Sequence, residues 1–142
     1  MTEYKETAMF NKKVFISFDY DNDKDIKENL VAQTRQSFCS YEIRDESIKA
    51  PIDSKWREEA RQRIKNCDVV IVLCGEHTDT ASGVAAELTI AQEENIPYFL
   101  LQGRRGKECK KPNHAKRSDE IHPWTWNTID SLLKRLESPF FL

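Results

Sequence analysis

The amino-acid sequence predicts an α/β protein, a single domain built on a doubly wound parallel sheet flanked by helices. Short apolar runs alternate along the chain with longer segments whose apolar residues recur every three or four positions. The clearest run, Val69–Cys74, is continuously apolar and rich in β-branched residues. Such a run is typical of a central parallel strand that is covered on both faces. This alternation implies right-handed β-α-β crossovers.

Four segments are predicted to form strands because each is short, largely apolar and followed by polar or turn residues. They are residues 13–18, 40–44, 68–75 and 96–101. In a doubly wound sheet, ligands bind beyond the carboxyl ends of the strands, near the point where the strand order reverses. Candidate site residues are therefore expected in the four loops that contain residues 17–21, 44–53, 75–82 and 102–105.

Four helices are predicted, each from one apolar stripe at helical spacing. The stripes comprise Ile26, Leu30, Thr34 and Phe38; Trp56, Ala60 and Ile64; Val84, Leu88 and Ala91; and Ile129, Leu132, Leu133 and Leu136. We expect Asp53 or Ser54 to cap the second helix and Ser82 to cap the third. The last helix is expected over residues 123–138, and the apolar tail that follows it needs a partner surface.

Length and charge limit the possible classes of protein. The chain has 142 residues, the size of one domain, which we divide into a loose leader over residues 1–11 and a domain over residues 12–142. Its 22 basic and 24 acidic residues leave no overall positive charge for nucleic-acid binding. Its longest apolar run is far shorter than the roughly 20 residues that span a bilayer. We therefore expect a cytoplasmic protein that binds neither membrane nor nucleic acid.

Several nucleotide-binding and metal-binding motifs are missing. The dinucleotide motif G-x-G-x-x-G and the phosphate loop G-x-x-x-x-G-K-[ST] do not follow the first predicted strand. The four cysteines form no C-x-x-C pair, so no metal site is predicted. A phospho-receiver domain shares the architecture, and Asp19 and Asp21 suit it. Such a domain, however, needs an acceptor Asp where Cys74 and Gly75 stand.

Glu87 is the carboxylate with the most promising surroundings. It lies on the third predicted helix, shortly after the small residues Gly83, Val84, Ala85 and Ala86, which leave space for a ligand above the start of the helix. The alternative interpretation is a solvated glutamate on the outer face of the helix. Composition and periodicity alone leave both interpretations open.

The order of the motifs resembles that of the TIR (Toll/interleukin-1 receptor type) domains, a family with the flavodoxin-like sheet. The resemblance rests on residues 14–18 as first strand, on residues 67–73 as central strand, and on the spacing Ser82-x-x-x-x-Glu87-Leu88. The chain most resembles the TIR-like proteins that act as sensor and synthase in bacterial Thoeris anti-phage systems. The match covers roughly residues 12–102.

The resemblance implies an activity. Enzymatic TIR domains cleave NAD at the bond between nicotinamide and ribose and use one glutamate on the helix after the central strand, which here is Glu87. NAD is then a substrate, and no cofactor is implied. The expected product is a signal derived from ADP-ribose, with a cyclic isomer as the expected form, which activates a separate effector in anti-phage defence.

Eight further residues are candidates for substrate binding at the strand ends. Ser17, Phe18 and Asp19 follow the first strand; Phe18 can stack on a ring or pack in the core, and Asp19 can bind a ribose or cap a helix. Arg44 and Lys49 can meet the pyrophosphate or remain solvated. The loop after the central strand contributes Gly75, His77 and Ser82, and His77 can equally be a surface residue.

A second hypothesis is a TIR-like adaptor that binds partners or nucleotides without turning them over. The family often has Trp shortly before the glutamate, whereas Gly83 and Val84 occupy this region here. The loop over residues 44–53 corresponds to the loop through which TIR domains assemble, so self-association is expected there. Residues 103–118 form a basic loop insert, read either as a solvated loop or as a site for phosphates or an acidic partner.

Overall fold

The computed structural model describes residues 12–36 and 41–137. The predicted leader, the stripe residue Phe38 and the apolar tail over residues 138–142 lie outside them. The described residues form one five-stranded sheet in which every neighbouring pair of strands is parallel. The strands are β1 (Lys12–Ser17), β2 (Tyr41–Glu46), β3 (Val69–Cys74), β4 (Tyr98–Gln102) and β5 (Ile121–His122).

The strand order is β2-β1-β3-β4-β5, which confirms the predicted doubly wound class. From β1 the chain moves to one side to form β2, and from β3 it moves to the other side to form β4 and β5. The order therefore reverses between β1 and β3. A crevice at the carboxyl edge of a parallel sheet is expected at this reversal.

Four helices cover the sheet on two faces, as predicted. They are α1 (Lys24–Gln36), α2 (Ser54–Lys65), α3 (Ser82–Glu93) and α4 (Trp126–Glu137). The helices α1 and α4 share one apolar core with one face of β1 and β3. The helices α2 and α3 share a second core with the opposite face. Because every side chain of β3 is buried, this strand needs the continuous apolar run that predicted it.

The apolar stripes that predicted the helices pack inward. Trp56, Ala60 and Ile64 are buried on α2, and Ile129 and Leu133 are fully buried on α4. Asp53 caps α2, since its Oδ1 accepts a hydrogen bond from the backbone N–H of Trp56 at 2.8 Å. Of the two residues predicted to cap this helix, Asp53 and Ser54, the structure confirms Asp53.

The predicted cap of α3 is wrong. Ala81 occupies the N-cap position, makes no side-chain hydrogen bond there, and leaves Ser82 as the first helical residue. The chain enters α3 from a short 3-10 turn (Thr78–Thr80), and the N–H of Ala81 donates to the carbonyl oxygen of Thr78 at 3.1 Å. After this turn the helix starts at Ser82, one residue earlier than the sequence signal predicted.

Strand β2 continues to Glu46, two residues beyond its predicted end. The guanidinium of Arg63 on α2 holds this extension, because its Nε and Nη2 donate to the two carboxylate oxygens of Asp45 at 2.9 and 2.6 Å. The N–H of Ser47 then donates to the carbonyl oxygen of Ile16 on β1 at 2.9 Å. Arg44 therefore lies within the strand, and the loop predicted to begin there begins at Ser47.

Residues 103–118, predicted as a basic loop insert, form a loop that a hydrogen bond and core packing hold to the rest of the domain. The N–H of Lys110 donates to the carbonyl oxygen of Gly75 at 2.9 Å, and Cys109 and Ala115 pack against the core under α2 and α3. The strand β5 that follows was not predicted because two residues show no periodicity. Helix α4 begins at Trp126 and not at 123, since the hydroxyl of Thr125 accepts from the N–H of Thr128 at 3.1 Å.

Within the described ranges, no helix is both long and apolar enough to cross a lipid bilayer.

A buried ion pair joins the start of α1 to the end of β4. The carboxylate of Asp23 is almost completely buried and accepts hydrogen bonds from Arg104, which also pairs with Asp25 at 2.7 Å. Burial raises the pKa of Asp23, and the hydrogen bond from Arg104 opposes this rise. The carboxylate packs directly against Gly75, where a Cβ atom would fall 2.4 Å from its Oδ2.

The substitution Gly75→Ala is expected to lower the free energy of unfolding by about 1–3 kcal/mol, because a methyl group would displace a carboxylate that Arg104 holds in place. Gly83→Ala is the matched control. Its added Cβ meets only the Cδ1 of Ile52, at 3.9 Å, and alanine favours the helix by about 0.5–1 kcal/mol. Urea unfolding of both variants checks this. Equal stability of the two variants would contradict the packing described.

Candidate functional site

A cavity of about 350 Å³ opens at the carboxyl edge of the sheet, beside the point where the strand order reverses. Its walls come from the segment after β1, the loop between β2 and α2, and the first turns of α3. Five of the nine residues predicted for the site line it. These five are Phe18, Asp19, Lys49, Ser82 and Glu87.

Glu87 is the central polar group of this cavity. Only 1% of its surface is exposed, so the interpretation of a solvated glutamate is wrong. The hydroxyl of Ser17 donates to its Oε1 at 2.7 Å, and the hydroxyl of Ser47 donates to the same atom at 2.6 Å. Among the described residues, no hydrogen-bond donor contacts Oε2. One carboxylate oxygen is therefore fixed by the protein, and the other remains for a ligand.

The sequence positions both serines by placing them at strand ends. Ser17 is the last residue of β1, and Ser47 follows the last residue of β2. The backbone bond from Ser47 to Ile16 keeps these two ends side by side. The hydroxyl oxygen of Ser47 also accepts from the N–H of Phe18 at 3.0 Å, which directs its proton toward Glu87. The carboxylate is thus held by the sheet itself.

The surroundings of Glu87 raise the pKa of its carboxyl to about 7. Burial is the largest cause, because it disfavours the charged form. The hydrogen bonds from Ser47 and Ser17 oppose it, as does the charge of Arg63, while the charge of Asp45 adds to the rise. At neutral pH both protonation states are therefore populated, and a nearby positive charge on a ligand would favour the carboxylate.

The segment after β1 forms one wall through a tight turn. The carboxylate of Asp19 accepts from the N–H of Asp21 at 3.1 Å and from the side chain of Asn22 at 2.7 Å. Phe18 is buried in the core under α1 and α4, and its ring stacks with Tyr20 at a centroid distance of 5.7 Å. Phe18 thus has the core role that the sequence left open, whereas Asp19 holds a turn before α1 and is not the helix cap offered as its alternative. Both residues line the cavity.

The loop after β2 forms the opposite rim. The exposed ammonium of Lys49 lies 2.7 Å from the carboxylate of Asp21, so this ion pair bridges the two rims. The indole N–H of Trp56 donates to the carbonyl oxygen of Ile48 at 3.4 Å and fastens the loop to α2. The side chain of Ile48 is 49% exposed. A cation and an apolar side chain therefore stand at the mouth of the cavity.

Four predicted site residues do not line the cavity, although one of them, Ser17, donates its hydroxyl hydrogen bond to Glu87. Arg44 is exposed within β2, before the loop. Gly75 packs against Asp23, and its N–H donates to the hydroxyl of Thr78 at 2.7 Å. His77 is exposed and precedes the 3-10 turn. Along the chain, the 3-10 turn that begins at Thr78 separates Gly75 and His77 from the helix that carries Glu87.

Two residues of the site were missed by the sequence analysis. Ser47 was hidden inside a loop defined only by its length, although its place next to a strand end is a usable signal. Trp56 was assigned to the core alone, yet it also lines the cavity. Over residues 12–36 and 41–137, no group of three His, Cys, Asp or Glu side chains is arranged to hold a metal ion.

The raised pKa of Glu87 predicts a pH-dependent effect of Glu87→Gln on stability. Between about pH 4.5 and pH 7 the unfolded chain releases this proton while the folded chain retains it, so the wild type loses stability as the pH rises. The amide cannot ionise. We expect the variant to gain on the order of 2 kcal/mol relative to wild type between pH 5 and pH 8, measured by urea unfolding.

Glu93→Gln, on the same helix but at an exposed ion pair with Arg61, is the control and should show no comparable gain. A constant difference between wild type and Glu87→Gln across this pH range would show that Glu87 titrates normally.

The comparisons with known proteins agree with this architecture. The profile of the family described as "Thoeris protein ThsB, TIR-like domain" matches residues 15–104. No protein among the curated sequences matches the chain. A solved structure described as a prokaryotic SEFIR domain is similar in fold, with 22% identity over 91% of this chain and 95% of that one and a TM-score of 0.51.

The family match covers the second half of β1, the strands β2 to β4, the loop after β2 and the helix that carries Glu87. It therefore includes every wall of the cavity. The chain belongs to the TIR-like domain family of the Thoeris protein ThsB.

Proposed function

We propose that the cavity around Glu87 binds NAD and cleaves the bond between nicotinamide and ribose. The observation that carries the proposal is the buried carboxylate with one oxygen held by two serine hydroxyls at the wall of a cavity. The family match supports the same conclusion, because the resemblance to enzymatic TIR domains assigns the reacting glutamate to this position.

A single carboxylate suits this reaction. Ordinary glycosidases use two carboxyl groups, one of which protonates the leaving oxygen. The nicotinamide of NAD is already a cationic pyridinium, so the bonding pair of the breaking C–N bond neutralises it and no general acid is needed. The carboxylate of Glu87 stabilises the positive charge that develops on the ribose and accepts hydrogen bonds from its hydroxyls.

The hydroxyls of Ser17 and Ser47 act as positioning groups. They hold one oxygen of Glu87 and lower the pKa of its carboxyl against the effect of burial. The pyridinium of the substrate adds a positive charge close to the carboxylate and favours the same ionised form. Binding of the substrate thus produces the protonation state that its cleavage requires.

The product depends on the group that attacks the ribose carbon. Attack by water forms a C–O bond, releases one proton and gives ADP-ribose. Attack by a nucleophile within the substrate closes a ring and gives a cyclic isomer, which is the product we propose. In keeping with the family, this product acts as the signal to a separate effector in anti-phage defence.

The reaction predicts that nicotinamide release from NAD depends on Glu87. We expect Glu87→Gln to lower the rate at least about 100-fold, because the amide carries no charge to stabilise the transition state. Glu93→Gln, the control on the same helix, should retain the wild-type rate. Chromatography with mass detection measures nicotinamide and distinguishes ADP-ribose from a cyclic product, which is lighter by one water.

The pH dependence of kcat/KM for NAD cleavage is a second test of the role proposed for Glu87. Since the carboxylate is the active form, kcat/KM should rise with pH and become constant above about pH 7, the pKa of the free enzyme. Samples should include high protein concentrations and lysates of infected cells that express the chain, because TIR enzymes commonly complete their sites by assembly. Turnover that is unaffected by Glu87→Gln would refute the assignment.

The second candidate function is a TIR-like adaptor that binds partners or nucleotides without turnover. The exposed side chains of Ile48 and Tyr20, which both line the cavity around Glu87, favour it, because apolar groups at the rim of a cavity suit a protein contact. The loop that carries Ile48 corresponds to the loop used in TIR assembly. Intact NAD in every sample, together with partner capture that Ile48→Asp abolishes, would support this function over the enzymatic one.

A further inference from the structure

A second cavity lies away from Glu87. Its volume is about 620 Å³, and it opens between α1, the end of β4 and the segment that leads into α4. The helices α1 and α4 cover the face of the sheet opposite to α2 and α3. None of the residues that line this cavity lines the one around Glu87. We call it the α1–α4 cavity.

The α1–α4 cavity is lined by polar groups and one cation, but by no anion. The side chains facing it include three amides, one indole and one guanidinium, and none carries a negative charge. These are Asn29, Gln33, Gln102, Trp124 and Arg105. A lining with one cation, no anion and several amides suits a ligand that has an anionic group and a polar planar ring.

Arg105 differs from its neighbour Arg104 in its hydrogen bonding. Arg104 is committed to Asp23, Asp25 and the carbonyl oxygen of Asn22. Within the described part of the chain, Arg105 forms no ion pair and no hydrogen bond, although it borders the cavity. A guanidinium is the side chain best suited to hold a phosphate, because its N–H groups match two oxygens at once.

The side-chain amides of Gln33 and Gln102 leave one hydrogen-bond donor and one acceptor for a ligand. The Oε1 of Gln33 accepts from the indole N–H of Trp124 at 3.0 Å, which fixes the indole and leaves the NH₂ group of Gln33 as a donor. The NH₂ group of Gln102 donates to the carbonyl oxygen of Arg104 at 3.3 Å, which leaves its oxygen as an acceptor. Adenine presents the complementary pair, since it has a donor amino group beside an acceptor ring nitrogen.

We propose that the α1–α4 cavity is a binding site for an adenine mononucleotide. The phosphate pairs with Arg105, the base edge meets Gln33 and Gln102, and the indole of Trp124 provides an apolar surface for the ring. Base–aromatic contacts of this kind stabilise nucleic-acid complexes. The site does not depend on the proposed cleavage of NAD, because it shares no residue with the cavity around Glu87.

The test is a calorimetric titration of the full chain with AMP, adenosine and ribose 5-phosphate. AMP should bind more tightly than either fragment. Arg105→Gln should weaken AMP binding by about tenfold and leave adenosine binding unchanged, because only the phosphate contact is lost. Gln102→Ala, which removes one of the two proposed contacts to the base edge, should weaken the binding of both AMP and adenosine.

Two matched variants locate the site. Lys107→Gln removes another exposed cation of the same loop, and Lys49→Gln removes the cation at the mouth of the Glu87 cavity; neither should change AMP affinity more than about twofold. The proposal is overturned if AMP shows no saturable binding up to about 5 mM. It is also overturned if Lys107→Gln weakens AMP binding as much as Arg105→Gln, or if only Lys49→Gln weakens it. Circular dichroism confirms that each variant is folded.

Discussion

The arrangement of the site depends on one carboxylate that the protein buries without a cation beside it. Glu87 receives two neutral hydroxyls, from Ser17 and Ser47, on a single oxygen. These three residues belong to α3, to the end of β1 and to the loop after β2. The contact therefore ties together the three segments that form the cavity, and the position of each segment sets the position of the others.

A second buried carboxylate at the same edge of the sheet, that of Asp23, is paired with a cation instead. Asp23 is as deeply buried as Glu87, but Arg104 supplies a guanidinium to it, and Gly75 leaves it room. A carboxylate paired in this way contributes to structure. Burial raises the pKa of both carboxyls. Glu87 is held by hydroxyls alone, so it can still interact strongly with a positive charge that a ligand brings. This contrast favours a reactive role for Glu87 over a structural one.

The sequence predicted the parts of the structure that depend on periodicity. The apolar run of β3, the stripes of the helices and the order of the elements follow from local spacing, and the third stripe placed Glu87 on a helix that the structure contains. Features that depend on contacts between distant segments were missed. The extension of β2 needs Arg63, and the partnership of Ser47 with Glu87 joins residues 40 positions apart. The start of α3 was missed for a local reason, because the preceding 3-10 turn places Ala81 at the N-cap. The two-residue strand β5 exists only because β4 is beside it.

The most direct measurement is the titration of the Glu87 carboxyl by carbon-13 NMR, with Glu87→Gln used to assign its signal. The account predicts a midpoint near pH 7, since burial outweighs the two serine hydrogen bonds. In Ser47→Ala the midpoint should move to higher pH, because a hydrogen bond that favours the charged form is removed. A midpoint at the ordinary value of about 4.5 in the wild type, unchanged by Ser47→Ala, would contradict the buried, hydroxyl-held carboxylate on which the proposed chemistry rests.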